Sequence, residues 1–304
     1  MKNNIAVLMS TYNGEKYLKA QLDSIFNQTS QNIVLFIRDD GSCDSTLEII
    51  KSYNNKIVLL ENNENLGVGS SFMETLYKAG LDFDYYAFCD QDDIWLVNKI
   101  EKAVLELEKF PLPTLYCSNQ TLVDKELHNL GLRHKKTIDT SYLQILTSNQ
   151  ITGCTMVWNN QLQKLLVSKD RRPSKELLEV RIHDVWVSMV ASIAGSIVYD
   201  SNSYILYRQH ENNVVGVKKR NLILNWVQKL GDSSKRKGRS RLATEILNNY
   251  RQFINDDIAA ELELLSTYQN SFRKKILLLQ NKKIFSLTTE PKWSVFVKIL
   301  FNLI

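Results

Sequence analysis

The densest chemistry in this chain is Asp90-Gln91-Asp92-Asp93, directly after the apolar run Tyr85 to Cys89. Carboxylates at the tip of a strand can hold one hard divalent cation, Mn²⁺ or Mg²⁺. Such a cation can neutralise a diphosphate whose departure builds negative charge. Taken alone, the cluster also reads as a solvated turn or a helix cap. A second acidic group, Asp39-Asp40-Gly41-Ser42, follows the apolar run Ile33 to Ile37. A carboxylate there can accept from a pyrimidine N–H or a ribose hydroxyl, although Asp and Gly are also what a bare turn requires. Tyr12, in Ser10-Thr11-Tyr12-Asn13-Gly14, offers a flat face for a base; its other reading is a half-buried core tyrosine.

These clusters need elements to bring them together. Ile5 to Met9, Ile33 to Ile37, Ile57 to Leu60 and Tyr85 to Cys89 read as short buried strands. Between them, Glu15 to Asn27, the segment around Leu47 to Ile50, and Ser70 to Ala79 carry helical spacing. Strand, polar turn and helix in repetition is the rhythm of a parallel sheet, in which ligands sit beyond the carboxyl ends of the strands. The turns after strands one, two and four therefore fall at one edge. Further on, Leu115 to Ser118, Thr155 to Trp158, Ile197 to Tyr199 and Tyr204 to Tyr207 read as strands, with helices at Tyr142 to Thr147 and Asp184 to Ala194. There is no internal repeat. Gly67-Val68-Gly69-Ser70-Ser71-Phe72 lacks the third glycine of a dinucleotide loop and does not follow the first strand.

The 304 residues suit one large domain plus an appendage, and 44% hydrophobic with 23% charged residues is ordinary for a globular chain. The net charge of +5 is uneven. Residues 218–304 hold 17 Lys/Arg against 7 Asp/Glu, whereas residues 1–217 hold 21 against 26. We therefore expect two parts, 1–217 and a basic helical region over 218–304. Cys43, Cys89, Cys117 and Cys154 form no CxxC pair, so a reducing compartment is the default. Neither a signal peptide nor a membrane span is legible. The basic runs Lys218-Lys219-Arg220, Lys235 to Arg241, Arg273-Lys274-Lys275 and Lys282-Lys283 are interleaved with Leu, Ile, Trp and Phe. Such helices can lie on an anionic membrane surface or form a contact in a homo-oligomer. No motif supports nucleic acid.

In order and spacing, Thr11-Tyr12-Asn13-Gly14, Asp39-Asp40-Gly41-Ser42, Asn65-x-Gly67 and Asp90-x-Asp92-Asp93 strongly resemble the family 2 glycosyltransferases of the GT-A fold. The resemblance runs from about Ile5 to Gly216. Met9 to Gly14, Arg38-Asp39-Asp40-Gly41-Ser42, Asp90 to Trp95 and Tyr207-Arg208-Gln209-His210 carry a narrower likeness to bacterial polysaccharide rhamnosyltransferases. The implied fold is α/β, a Rossmann-like, mostly parallel sheet flanked by helices. The implied activity is an inverting, metal-dependent transfer from a nucleoside diphosphate sugar, dTDP-β-L-rhamnose first and a UDP-hexose second. The implied acceptor is a glycan on a lipid carrier, met at the inner face of the cell membrane.

The resemblance also implies residue roles. Thr11, Tyr12, Asn13, Asp39, Asp40, Asn65, Gly67, Asp90 and Arg208 would bind the donor. Tyr12 would stack on its base, Asp40 would accept the base N–H, Asp39 would lie near the ribose, and Arg208 would contact the diphosphate. Asp92, with Asp90 and His210, would hold Mn²⁺ or Mg²⁺. Asp184, opening an apolar helix, would be the catalytic base, although it also reads as a cap, and His183 could assist it. Asn149 to Val157 would line the acceptor side, with Gly153 admitting the substrate. Many relatives carry an Arg after Asn-x-Gly; this chain has Gly69-Ser70-Ser71-Phe72 instead. Two other readings are a phosphohydrolase, which would need an Asp after the first strand, and a non-catalytic nucleotide-sugar-binding subunit.

Overall fold

The computed structural model describes residues 3–30, 32–53, 56–62, 64–210, 237–287 and 291–304. Its centre is the strand β1 (Ile5–Thr11), flanked by parallel β2 (Ile33–Asp39) and β4 (Tyr85–Cys89), with β3 (Ile57–Leu59) outside β2. A central parallel strand is covered on both faces, which is why β1 is a continuous apolar run. Ala6 and Leu8 enter one core, and Ile5, Val7 and Met9 enter the other.

Beyond β4 the sheet is mixed. Its order is β3-β2-β1-β4-β8-β6-β9-β5, with β7 paired to β6. Here β5 is Ile94–Trp95, β6 Thr114–Val123, β7 Asn129–Leu132, β8 Val157–Asn159 and β9 Ser196–Arg208. The expected parallel sheet is thus found in its first four strands, while β5, β7 and β8 pair antiparallel. The two strands expected near Ile197 and Tyr204 form one strand, β9. Its polar centre, Asp200-Ser201-Asn202, reads as a turn but is absorbed as a slip in register: Ser118 pairs with Asp200, and Asn119 with Ser203.

Helices α1 (Leu18–Phe26), α2 (Thr46–Ser52) and α4 (Lys99–Leu107) bury Leu22, Ile25, Ile50, Ile100 and Ala103 on one face of the sheet. The other face takes α3 (Gly67–Lys78), α5 (Tyr142–Ser148), α6 (Asn160–Val167), α7 (Lys175–Leu178) and α8 (His183–Ala194). Helix α3 starts at Gly67, a turn earlier than its apolar spacing predicts, because a carboxylate described below satisfies its first N–H groups.

The boundary expected between Val217 and Lys218 lies outside the described residues. The helices beyond it are α9 (Gly238–Tyr250), α10 (Asp256–Thr267), α11 (Phe272–Gln280), α12 (Lys282–Leu287) and α13 (Lys292–Leu300). Leu242, Ile246, Leu262, Leu278, Val295 and Ile299 belong to the same core as Leu8 and Trp186. Tyr250 meets the Trp186 ring edge-on at 6.0 Å and donates its hydroxyl to the Leu165 carbonyl at 3.1 Å. No helix among the described residues is long and apolar enough to cross a membrane.

Candidate active site

The turns after β1, β2 and β4 meet at one sheet edge, as the strand order requires. Thr11 is buried and donates its hydroxyl to Asp39 Oδ1 at 2.9 Å. Tyr12 is 52% exposed, so its ring is available to a ligand. Its N–H donates to Gln91 Oε1 at 2.9 Å and its carbonyl accepts from Gln91 Nε2 at 3.0 Å. Gln91, which sequence reasoning treated as a spacer, therefore fixes the loop that carries Tyr12. Gly14 permits this close pass: a Cβ there would lie 2.4 Å from Gln91 Oε1. Asn13, in the left-handed region at φ 47°, accepts from the Cys43 N–H at 2.9 Å and donates its own N–H to Ser42 Oγ at 2.9 Å. The first two turns are thereby stitched together.

The second turn is buried. Asp39 Oδ1 accepts from Ser42 Oγ at 2.5 Å as well as from Thr11, and Oδ2 accepts from the Ser42 N–H at 2.8 Å. Asp40 pairs with Arg38 and accepts from the N–H groups of Leu66 at 2.9 Å and Gly67 at 2.8 Å. It is the carboxylate that starts α3, where its charge meets the positive end of the helix. Asn65 Nδ2 donates to the Asp40 carbonyl at 2.7 Å, and Gly67 sits at φ 73°, open to glycine without strain. Asp40, expected to accept the base N–H, is 3% exposed and is already held by Arg38 and by the Leu66 and Gly67 N–H groups. Asn65 and Gly67 likewise build the turn. Arg38 donates to Ser71 Oγ at 3.1 Å and Asn62 Oδ1 at 2.6 Å. The guanidinium beside Gly69 to Phe72 thus comes from β2.

The third turn places Asp92 Oδ2 at 2.7 Å from His210 Nε2, with the two side chains 17% and 14% exposed. Residues 118 positions apart meet because β9 ends beside the Asp90–Asp93 turn. Arg208 braces this meeting. Its N–H donates to Asp93 Oδ1 at 3.0 Å, Nε to the Asp92 carbonyl at 2.9 Å and Nη1 to the Lys125 carbonyl at 2.8 Å. Arg208, expected against the diphosphate, is 4% exposed and braces the turn from beneath. Tyr17, which helical spacing marks only as an apolar position, lies under the Arg208 guanidinium at 4.4 Å and against the His210 ring at 5.2 Å.

The donor set fits a hard divalent cation. A carboxylate oxygen suits Mg²⁺ or Mn²⁺, and the added imidazole nitrogen favours Mn²⁺ over the strictly oxygen-seeking Mg²⁺. Two ligands at ~2.1 Å on adjacent octahedral positions lie ~3 Å apart, close to the observed pair. Burial first, then the charges of Asp92 and Asp184, push Asp90 up to about 7. Such crowding of carboxylates is what a cation relieves. Asp93 and Cys154 also lie close to Asp90. Both are fully buried, and burial raises the Asp93 carboxyl and the Cys154 thiol well above their ordinary ranges. A protonated thiol is a poor ligand for a hard cation, which weighs against that cluster as it stands.

Asp184 stands in the first turn of α8, 8% exposed, its Oδ1 accepting its neighbour's N–H at 2.6 Å. Burial pushes it up to about 7, against the pull of Arg133 and Arg181. Its charge contributes to the upward shift of Asp90. His183 does not assist it. Its ring is stacked on Phe72 at 4.0 Å and meets Phe88 edge-on at 4.8 Å. Burial depresses it to about 3, and neither ring nitrogen has a hydrogen-bond partner among the described residues. It is a neutral packing element. Gly153 serves that packing: a Cβ there would sit 2.7 Å from His183 Nε2, so the close approach it allows is to His183 rather than to a substrate.

Residues 6–166 match Glycosyl transferase family 2, and the chain belongs to that family. It is 32% identical over 219 residues to the dTDP-rhamnosyl transferase RfbG of Shigella flexneri, covering 68% of this chain and 73% of that one. Over 150 residues it is 27% identical to an Escherichia coli UDP-Glc:alpha-D-GlcNAc-diphosphoundecaprenol beta-1,3-glucosyltransferase, covering 47% and 58%. The fold is shared with S. aureus TarS 1-349 in complex with UDP-GlcNAc, at a TM-score of 0.61 and 18% identity over 98% and 88% of the two chains. The protein is a nucleotide-sugar transferase of the GT-A fold.

Proposed function

We propose that this enzyme transfers L-rhamnose from dTDP-β-L-rhamnose, with inversion, to a hydroxyl of a glycan acceptor in cell-surface polysaccharide assembly. The observation that carries the mechanism is Asp184, a buried carboxyl whose proton affinity is raised to about 7 and whose charge contributes to the upward shift of Asp90. A base matched to neutral pH is what removal of a hydroxyl proton requires. The rhamnosyl assignment is supported by the relative named above; a UDP-hexose is the second donor, since both nucleotides present a similar pyrimidine edge.

Tyr12 stacks on the donor base, on a loop held by Gln91 and Asn13. The Asp39 turn forms the floor beside the ribose. Asp92 and His210, with Asp90, would hold Mn²⁺ or Mg²⁺, and the chemistry such a cation would supply is neutralisation of the charge on the leaving diphosphate. Asp184 takes the proton of the acceptor hydroxyl as that oxygen bonds to the anomeric carbon. The bond from this carbon to the diphosphate oxygen breaks on the opposite face, and the diphosphate leaves with the electron pair. One such displacement inverts the centre. A non-catalytic binding subunit would have no use for a carboxyl tuned in this way.

The test is donor turnover by the purified chain with dTDP-rhamnose, UDP-glucose, UDP-galactose and UDP-N-acetylglucosamine, with Mn²⁺, Mg²⁺ or EDTA, supplying undecaprenyl-diphosphate-linked glycans as acceptors. We expect metal-dependent use of dTDP-rhamnose, lost in Asp92→Ala. Turnover of a UDP-sugar alone would replace the donor, and full activity in EDTA would overturn the metal role.

A further inference from the structure

Helix α13 turns an apolar face outward. Trp293, Phe296 and Leu300 recur at i, i+3 and i+7 and so share one side of the helix. They are 58%, 46% and 38% exposed, and Phe301, just past the helix end, is 66% exposed. The opposite side is satisfied: Ser294, Val295 and Ile299 are buried in the common core. Helix α11 packs beside α13, and Lys275 ties the two by donating to the Leu300 carbonyl at 3.1 Å. It adds Phe272 at 74% and Ile276 at 39% exposure, one turn apart on a single side. The exposed rings of Phe272, Phe296 and Phe301, on and beside two adjacent helices, call for an occupant.

Charge identifies it. Residues 271–304 hold seven Lys/Arg and one Asp/Glu. Arg273 and Lys292 are exposed on the two helices themselves, and Lys282 and Lys283 are exposed at the start of α12, which joins them in sequence. The only ion pair recorded for these four among the described residues is Lys283 with Glu261, at 3.2 Å. Trp and Phe with flanking cations are the composition of a surface that enters the headgroup layer of an anionic bilayer, the rings inserted and the ammonium groups at the phosphates. A protein partner would need an equally acidic apolar groove.

We propose that the α11–α13 face is a monotopic docking surface for an anionic phospholipid bilayer, which carries the catalytic domain to acceptors held at that surface. This narrows the basic region to one face. The runs Lys218 to Arg220 and Lys235-Arg236 lie outside the described residues, and Arg239 is 8% exposed, turned inward.

Binding is measured directly, independently of donor or acceptor chemistry. The full-length chain is floated with vesicles of phosphatidylcholine alone and of phosphatidylcholine with phosphatidylglycerol, at low and high salt. We expect flotation with the anionic vesicles and loss of much of it at high salt. The triple variant Trp293→Ser, Phe296→Ser, Phe301→Ser should weaken partitioning by about tenfold or more. Lys282→Glu with Lys283→Glu and Lys292→Glu should weaken it by a similar factor on anionic vesicles only. These side chains are exposed, so an unchanged melting temperature separates lost docking from lost folding. Absence of flotation by the wild type, or undiminished flotation by both variants, would overturn the proposal. So would a wild-type oligomer, without vesicle binding, that the aromatic variant converts to monomer; the face would then bind a second copy of the chain.

Discussion

Asp184, the proposed base, is buried in the first turn of α8, and that burial lifts it up to about 7. The consequence for rate has a definite sign. Asp184 must be deprotonated to accept the hydroxyl proton, so kcat/KM should climb as pH rises through about 7 and flatten above it. For stability the sign is reversed. The folded chain holds this proton more tightly than the unfolded chain does, so the favourable contribution is present below the unfolded carboxylate range and is lost as pH rises through about 7. A pH–rate profile on saturating metal checks the first; a profile flat from pH 5.5 to 8 would remove Asp184 from the rate equation. The strand-end places of Tyr12 and Asp92 were legible from the apolar runs that precede them. Gln91 and Tyr17 were not, because their work is to hold another residue's backbone or ring, and neither contact has a spacing. Gly153 was legible as a close approach, but the partner, His183, lies 30 positions away on another element and only folding reveals it.

At the scale of elements, Asp40 joins β2 to α3. It is half of a buried ion pair with Arg38, their side chains 5% and 4% exposed, and it also satisfies two N–H groups at the start of α3. Removing one partner leaves a buried charge and two unsatisfied donors. Asp40→Ala should therefore cost roughly 3–5 kcal/mol in chemical denaturation. A loss below about 1 kcal/mol, with donor affinity abolished, would restore a direct ligand role to Asp40. The parallel strands were readable because each is an apolar run bounded by polar turns. The mixed half was not, since β5 is two residues long and β9 runs straight through Asp200 to Ser203, whose composition mimics a loop. Pairing with β6, not local propensity, makes that segment a strand.

For the whole molecule, the shared core shows that the C-terminal helices do more than append charge. Leu242, Ala243 and Ile246 cover α8, the helix that carries Asp184, and Tyr250 packs on its Trp186. A chain ending at His210 would expose this surface to water. We expect it to be insoluble, or to melt well below the full chain, in a thermal unfolding measurement. A truncated chain that melts like the full one would show that the helices are dispensable to the fold. Charge asymmetry marked this region in the sequence as different in kind, and its polar, basic face is different. Its apolar face is not, because helical spacing records that a face is buried without recording against what.

The most direct test of the account combines donor binding and sugar transfer in wild type and Asp184→Asn, an isosteric change that removes the base and leaves the nucleotide turns untouched. Calorimetric binding of the nucleoside diphosphate with Mn²⁺ should be unchanged within about twofold, while transfer to acceptor falls by about 10²–10⁴. Transfer retained in Asp184→Asn would contradict the central claim and send the search for the base to another residue of the cleft.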